Sequence, residues 1–184
     1  IDVPQYNTPD AKAYVTEQLK ELIAMLEDTF HQKFQEEELV PILQRENASK
    51  ACYERCLKNL RTHHYPSTLT MQMYMLFASH MNIGTPEILH FYQQMEAETA
   101  AAPEFHGTNI LWVHLLPYYQ ETLKEYFNLT DDYQIQAIEM NLDYRAPLDT
   151  EHPLEALADK MIHNVYNGPY ERKAALVSEL AQDL

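Results

Sequence analysis

Cys52 and Cys56 stand four apart in a stretch of helical spacing, so their thiols could share one face and one metal ion. Further ligands would have to come from His63 or His64. On a continuous helix these sit roughly 10 Å or more from Cys56, so the spacing favours buried thiols over a metal site. The nine histidines show no HExxH or similar pairing, and the adjacent His63 and His64 suit a helix C-terminus, where an imidazolium meets the negative end of the dipole. His114 is different. It falls in an apolar, strand-like run, beside the edge where open α/β sheets bind ligands just outside the carboxyl ends of their strands. Tyr118 and Tyr119 follow at that edge, and Asp143 and Tyr144 fall at the matching end of a second strand-like run. Together they outline a crevice. The plain alternatives are a hydrogen-bonded core histidine, packing tyrosines and a capping aspartate. Asn167 and Gly168 precede another helix whose free N–H groups could meet a phosphate or carboxylate, with Arg172 one turn in; an ordinary Asn-capped start is the preferred reading. No Ser/His/Asp or Cys/His spacing marks a nucleophile.

These residues need elements to position them, and residues 109–144 supply the expected frame. Residues 110–116 form a short apolar run that Pro117 closes. Pro117 suits the first position of a helix carrying Tyr119, Leu123, Tyr126 and Phe127, and Tyr133, Ile135, Ala137 and Ile138 begin a second strand. A helical crossover of that length predicts two parallel strands, and parallel sheets are normally larger and covered on both faces. Four helices are expected first. One starts near Thr8 and Pro9 with the stripe Ala11, Val15, Leu19, Leu22, Leu26, and one spans about residues 35–62 with a possible break at Asn47 to Ser49. A third, capped by Ser67, carries Leu69, Met73, Leu76, Phe77 and Met81, and a fourth follows Gly84 and Pro86 to about Ala100. Four methionines, Met71, Met73, Met75 and Met81, crowd the third helix as soft core or subunit contact. The change of period at residues 100–109 places a border between a helical domain, 1–104, and an α/β domain, 105–184. Pro153 then opens a helix, and a last one runs to the end without a stop signal, so a further strand is expected to follow. The fold class is therefore mixed α and α/β: about four helices, then an incomplete Rossmann- or flavodoxin-like βαβα unit with parallel strands.

Thirteen Lys and Arg against 28 Asp and Glu give a net charge of −15, which repels phosphate backbones and anionic lipid and argues against nucleic-acid or membrane partners. Three glycines in 184 residues leave no Gly-rich phosphate loop. No run is long enough for a membrane span, no signal sequence is evident, and two cysteines make no disulfide framework, so the cytoplasm is the expected compartment.

The segments FASHMNIGTPEILHFYQQMEAE, NILWVHLLPYYQETLKEYF and EMNLDYRAPLDTEHPLEALADKMIHNVYNGPYERKAALVSELAQDL resemble the 2-hydroxyacyl-CoA dehydratase family, whose members include 2-hydroxyglutaryl-CoA dehydratase subunits and relatives of benzoyl-CoA reductase. The opening IDVPQYNTPDAKAYVTEQLKELIAMLE fits too, and the GTPE, HPLEALA and NGPYERK pieces are the most specific, with His152 standing where the family often has an acidic residue. The resemblance implies an anaerobic lyase of two related subunits, each holding a [4Fe–4S] cluster. A separate ATP-hydrolysing iron–sulfur activator protein would supply one electron, and a ketyl radical would let water leave a 2-hydroxyacyl-CoA thioester. The family's cluster cysteines match no position here, so Cys52 and Cys56 are not expected to be ligands. An internal segment of a subunit is the expectation, with the cluster held elsewhere and His114, Tyr118, Asp143, Tyr144 and Asn167 as substrate-crevice residues. A benzoyl-CoA reductase subunit is the alternative within the superfamily, and a non-catalytic acidic helical interaction module the alternative outside it.

Overall fold

The computed structural model describes residues 1–117 and 119–182. Its elements are α1 (Ala11–Phe30), α2 (Leu39–Leu60), α3 (Leu69–Asn82), α4 (Pro86–Ala101), β1 (Thr108–Trp112), α5 (Glu121–Phe127), β2 (Tyr133–Ile138), α6 (Pro153–His163) and α7 (Tyr170–Gln182), with short 3-10 turns at Glu36–Glu38 and Glu139–Leu142. Four helices followed by a strand, helix, strand unit is the predicted order. β1 and β2 pair in parallel, Thr108 against Tyr133 and Trp112 against Ile138, with a bulge between Ile110 and Leu111 that leaves Gln136 out of register.

Several boundaries differ from the expectation for local reasons. β1 ends at Trp112, not near Leu116, because the backbone curls at His114, whose φ is 74°, and the Trp112 indole donates to Leu115 O. That places His114 beyond the strand. α5 starts at Glu121 rather than at Pro117, so the crossover helix is only seven residues long. Thr68, not Ser67, caps α3, accepting from Met71 N.

α2 runs unbroken through Asn47 to Ser49. The Asn47 amide does not compete with its own helix. It clasps the remote loop instead, donating to Leu148 O at 2.9 Å and accepting from Leu148 N at 2.8 Å.

The largest core cluster draws on α2 and α4 (Cys56, Leu57, Tyr92, Met95), on β2 (Ala137) and on α7 (Leu176, Leu180), so helices and strands on either side of residue 104 share one apolar interior. β2 binds the carboxyl end of α2 through side chains: Gln134 Nε2 lies 2.8 Å from Leu60 O and Gln136 Nε2 lies 3.1 Å from Leu57 O, satisfying carbonyls the helix leaves open. α1 packs on α6 through Ala11, Val15, Ala158 and Ile162. The Arg145 guanidinium ties α2 to α7 by pairing with Glu54 and Glu179.

Candidate functional site at the strand ends

Both parallel strands finish at one buried carboxylate. Glu139, directly after β2 and 0% exposed, accepts from His114 N at 2.8 Å through Oε2 and from the Tyr166 hydroxyl through Oε1, with Lys173 Nζ at 3.3 Å. It thus fixes the curl after β1 to the end of β2. Lys173 also lies 4.7 Å from the centre of the Tyr166 ring. Burial, and then the hydrogen bond to Glu139, push the Tyr166 phenol well above its ordinary pKa, so it stays protonated and donating.

Asp143, four residues on, joins the same network. Its Oδ2 accepts from Asn164 Nδ2 at 2.7 Å, its carbonyl accepts from Val165 N at 2.9 Å, and Asn164 Oδ1 accepts from Tyr166 N.

Beneath this edge lies a cavity of about 70 Å³ with a mixed lining, in which Glu46 and Lys50 of α2, Asp143 after the turn and Lys160 of α6 face Tyr53, Ile83 and Tyr92. Lys50 Nζ and Lys160 Nζ both sit 2.7 Å from Glu46 Oε1, and Glu46 is 3% exposed. Burial alone would raise the Glu46 pKa, but the two ammoniums outweigh it and hold the carboxyl below its ordinary range. Burial likewise pushes the Lys50 ammonium down, partly offset by Glu46.

The residues expected in the crevice distribute unevenly. His114 and Asp143 are brought together through Glu139 and the 164–166 segment. Tyr144 is buried behind the cavity, its ring 4.8 Å from Lys50 Nζ and its hydroxyl donating to Asp159; burial and that bond push its pKa up to about 12. Asn167 acts as a strap, its amide donating to Pro4 O and Ile162 O. Arg172 spends Nη1 on Ile162 O and Asn167 O, so the turn at Gly168 holds its own carbonyls. Tyr118 lies outside the described residues.

Sequence reasoning missed Glu46, Lys50, Lys160, Glu139 and Tyr166. The signal was present for two: Glu46 and Lys50 fall at i+3 and i+7 from Leu43, charged residues inside an apolar helical stripe.

Among the described residues no group of three or more His, Cys, Asp or Glu could hold a metal ion. An iron–sulfur cluster is held by thiolates, in general four. Cys52 and Cys56 share one helix, both are buried, and burial pushes the Cys52 thiol up and the Cys56 thiol up to about 11. These two cysteines do not fit a cluster. No described helix is long and apolar enough to cross a membrane. No curated protein and no solved structure matches the chain. The family described as 2-hydroxyglutaryl-CoA dehydratase, D-component, has a model that matches residues 1–184, and the chain belongs to that family.

Proposed function

We propose that this chain works as part of a 2-hydroxyacyl-CoA dehydratase, a lyase that removes water from a 2-hydroxyacyl-CoA, and that its strand-end crevice receives the acyl part of the thioester. The whole-length family match carries the proposal. Its location is supported by the general rule that open α/β sheets bind ligands outside the carboxyl ends of their strands, where Glu139 and Asp143 stand.

In this role Glu139 positions the backbone of His114, and the exposed imidazole stands at the mouth. Asp143 and Lys50 supply an acceptor and a donor toward the bound acyl group. The iron–sulfur and one-electron chemistry, the ATP-dependent activator and a second related subunit belong to the assembled enzyme in this proposal, with cluster ligands drawn from residues other than Cys52 and Cys56. A partner subunit is consistent with the word "component" in the family description.

The test is alanine substitution, one at a time, of His114, Tyr118, Asp143, Tyr144 and Asn167 in the assembled enzyme. Loss of about tenfold or more in kcat/KM for at least His114 and Asp143 is expected. Unchanged turnover and apparent affinity for all five would remove the crevice assignment.

A further inference from the structure

The outer face of α3 presents more apolar surface than solvent ordinarily meets. None of the chain's 13 Lys and Arg or 28 Asp and Glu falls within the 14 residues of this helix. Its inner side buries Leu69 and Leu76, and Met73 and Met75 pack against core clusters. Met71, Tyr74, Phe77 and Met81 recur at i, i+3, i+6 and i+10 along one side and stay exposed, Tyr74 at 72% and Met81 at 79%. A groove of about 350 Å³ lies between this stripe and α4, walled by Met71, Tyr74 and Met75 on one side and by Ile88, Phe91 and Met95 on the other. Phe91 is exposed as well. The five exposed side chains present on the order of 500 Å² of apolar surface, a patch of the size that marks an interaction site.

Composition and charge together say what fits there. The centres of protein interfaces are poor in charge and rich in Met, Tyr and Phe, as this face is. The rim is acidic. Glu87 of α4 lines the groove, and Glu98, three turns along, accepts from the Tyr65 hydroxyl at 2.7 Å and from Gln94 at 2.7 Å, both neutral donors. Among the described residues no Lys or Arg pairs with either carboxylate. The two stand about 16 Å apart along the helix axis, the length of three turns of a docked helix. A second copy of the chain would bring another net charge of −15 and the same two carboxylates to the contact, so self-pairing is opposed. An amphipathic helix with Lys or Arg beside its apolar stripe matches both the groove and the rim.

We infer that the groove between α3 and α4 is the docking surface for an amphipathic helix of the second dehydratase component, one that carries Lys or Arg beside its apolar face. This rests on the subunit role proposed above. The partner helix lays apolar residues spaced at i, i+3 or i+4 and i+7 between Tyr74 and Phe91, and its cations meet Glu87 and Glu98. Tyr74 and Phe91 act as aromatic anchors, and Met71 and Met75 adapt to the side chains they receive. The rim carboxylates set orientation and speed the encounter.

The experiment titrates the second component into the native protein, a Met71→Ser and Tyr74→Ser double variant, Glu87→Lys and Met25→Ser by calorimetry, with thermal melts confirming that each is folded. The double variant should bind about thirtyfold or more weakly. Glu87→Lys should weaken binding by about fivefold or more and flatten the fall in affinity that sodium chloride causes in the native pair. Met25, an exposed apolar residue of α1 outside the groove, should tolerate serine with no change in affinity. Should the double variant not fold, Glu87→Lys and its salt dependence decide. Unchanged affinity in the double variant, or equal weakening by Met25→Ser, would overturn the groove and leave the subunit role standing. Dimers of the native chain that the double variant abolishes would make a second copy the occupant and overturn the proposal as well. No complex between the native protein and the second component would overturn both the groove and the subunit role.

Discussion

Glu139 carries the largest consequence of any single side chain here. Three groups converge on a carboxylate with no solvent exposure, and two of them hold segments that are far apart in sequence. Glu139→Ala should lower unfolding stability by about 2–4 kcal/mol, measured by urea denaturation, because it leaves His114 N and the Tyr166 hydroxyl unpaired and Lys173 without its counter-charge. Glu46 makes a prediction of a different kind. Its pKa is depressed in the fold, so its contribution to stability is present above the unfolded carboxyl value and is lost as pH falls through the lower folded value. Lys160→Met removes one of the two ammoniums responsible. The acid-unfolding midpoint, followed by circular dichroism, should therefore move to higher pH. Glu139 was not legible as a site residue in the sequence, and Glu46 only as a charge set inside the apolar stripe of α2. An acidic side chain beside apolar ones reads as a solvated face until tertiary contacts from α6 and α7, far along the chain, supply its partners.

At the scale of elements, order and type were largely legible and ends were not. Proline, glycine and capping signals located α4 and α6, each with proline in its first turn, because those signals act on the residues beside them. The end of β1 combines a local curl at His114, held by the Trp112 indole on Leu115 O, with the remote Glu139 contact to His114 N, which the neighbouring residues do not encode. The continuity of α2 shows the same limit: Asn47 lowers intrinsic helix propensity, yet its amide is committed to Leu148, 101 residues away. Asn47→Ala should accordingly destabilise the protein by roughly 1–2 kcal/mol despite the better helix former, because two backbone hydrogen bonds are lost. Gly84 is a second sensitive point. Its φ is +86° and an added Cβ would come within 2.6 Å of the Ile42 side chain, so Gly84→Ala should lower the melting temperature by several degrees.

Charge and the shared core act on the whole molecule. A net charge of −15 destabilises the compact state through self-repulsion, and added salt screens it. The melting temperature should rise with sodium chloride through the physiological range. Salt has less effect on the Glu46 trio, whose separations are short and partly buried. Family membership extends over residues 1–184, and the quoted segments had already pointed to it because such motifs are local strings. The cavity beneath the strand ends was invisible for the opposite reason: it is assembled from α2, α3, α4, the turn after β2 and α6. The central claim is that this assembled edge binds the acyl part of a CoA thioester. Its most direct test is calorimetric titration of the native protein and Asp143→Ala with 2-hydroxyglutaryl-CoA. Saturable binding to the native protein, weakened about tenfold or more in the variant, is the predicted result. No saturable binding to the native protein, or the same affinity in both, would contradict it.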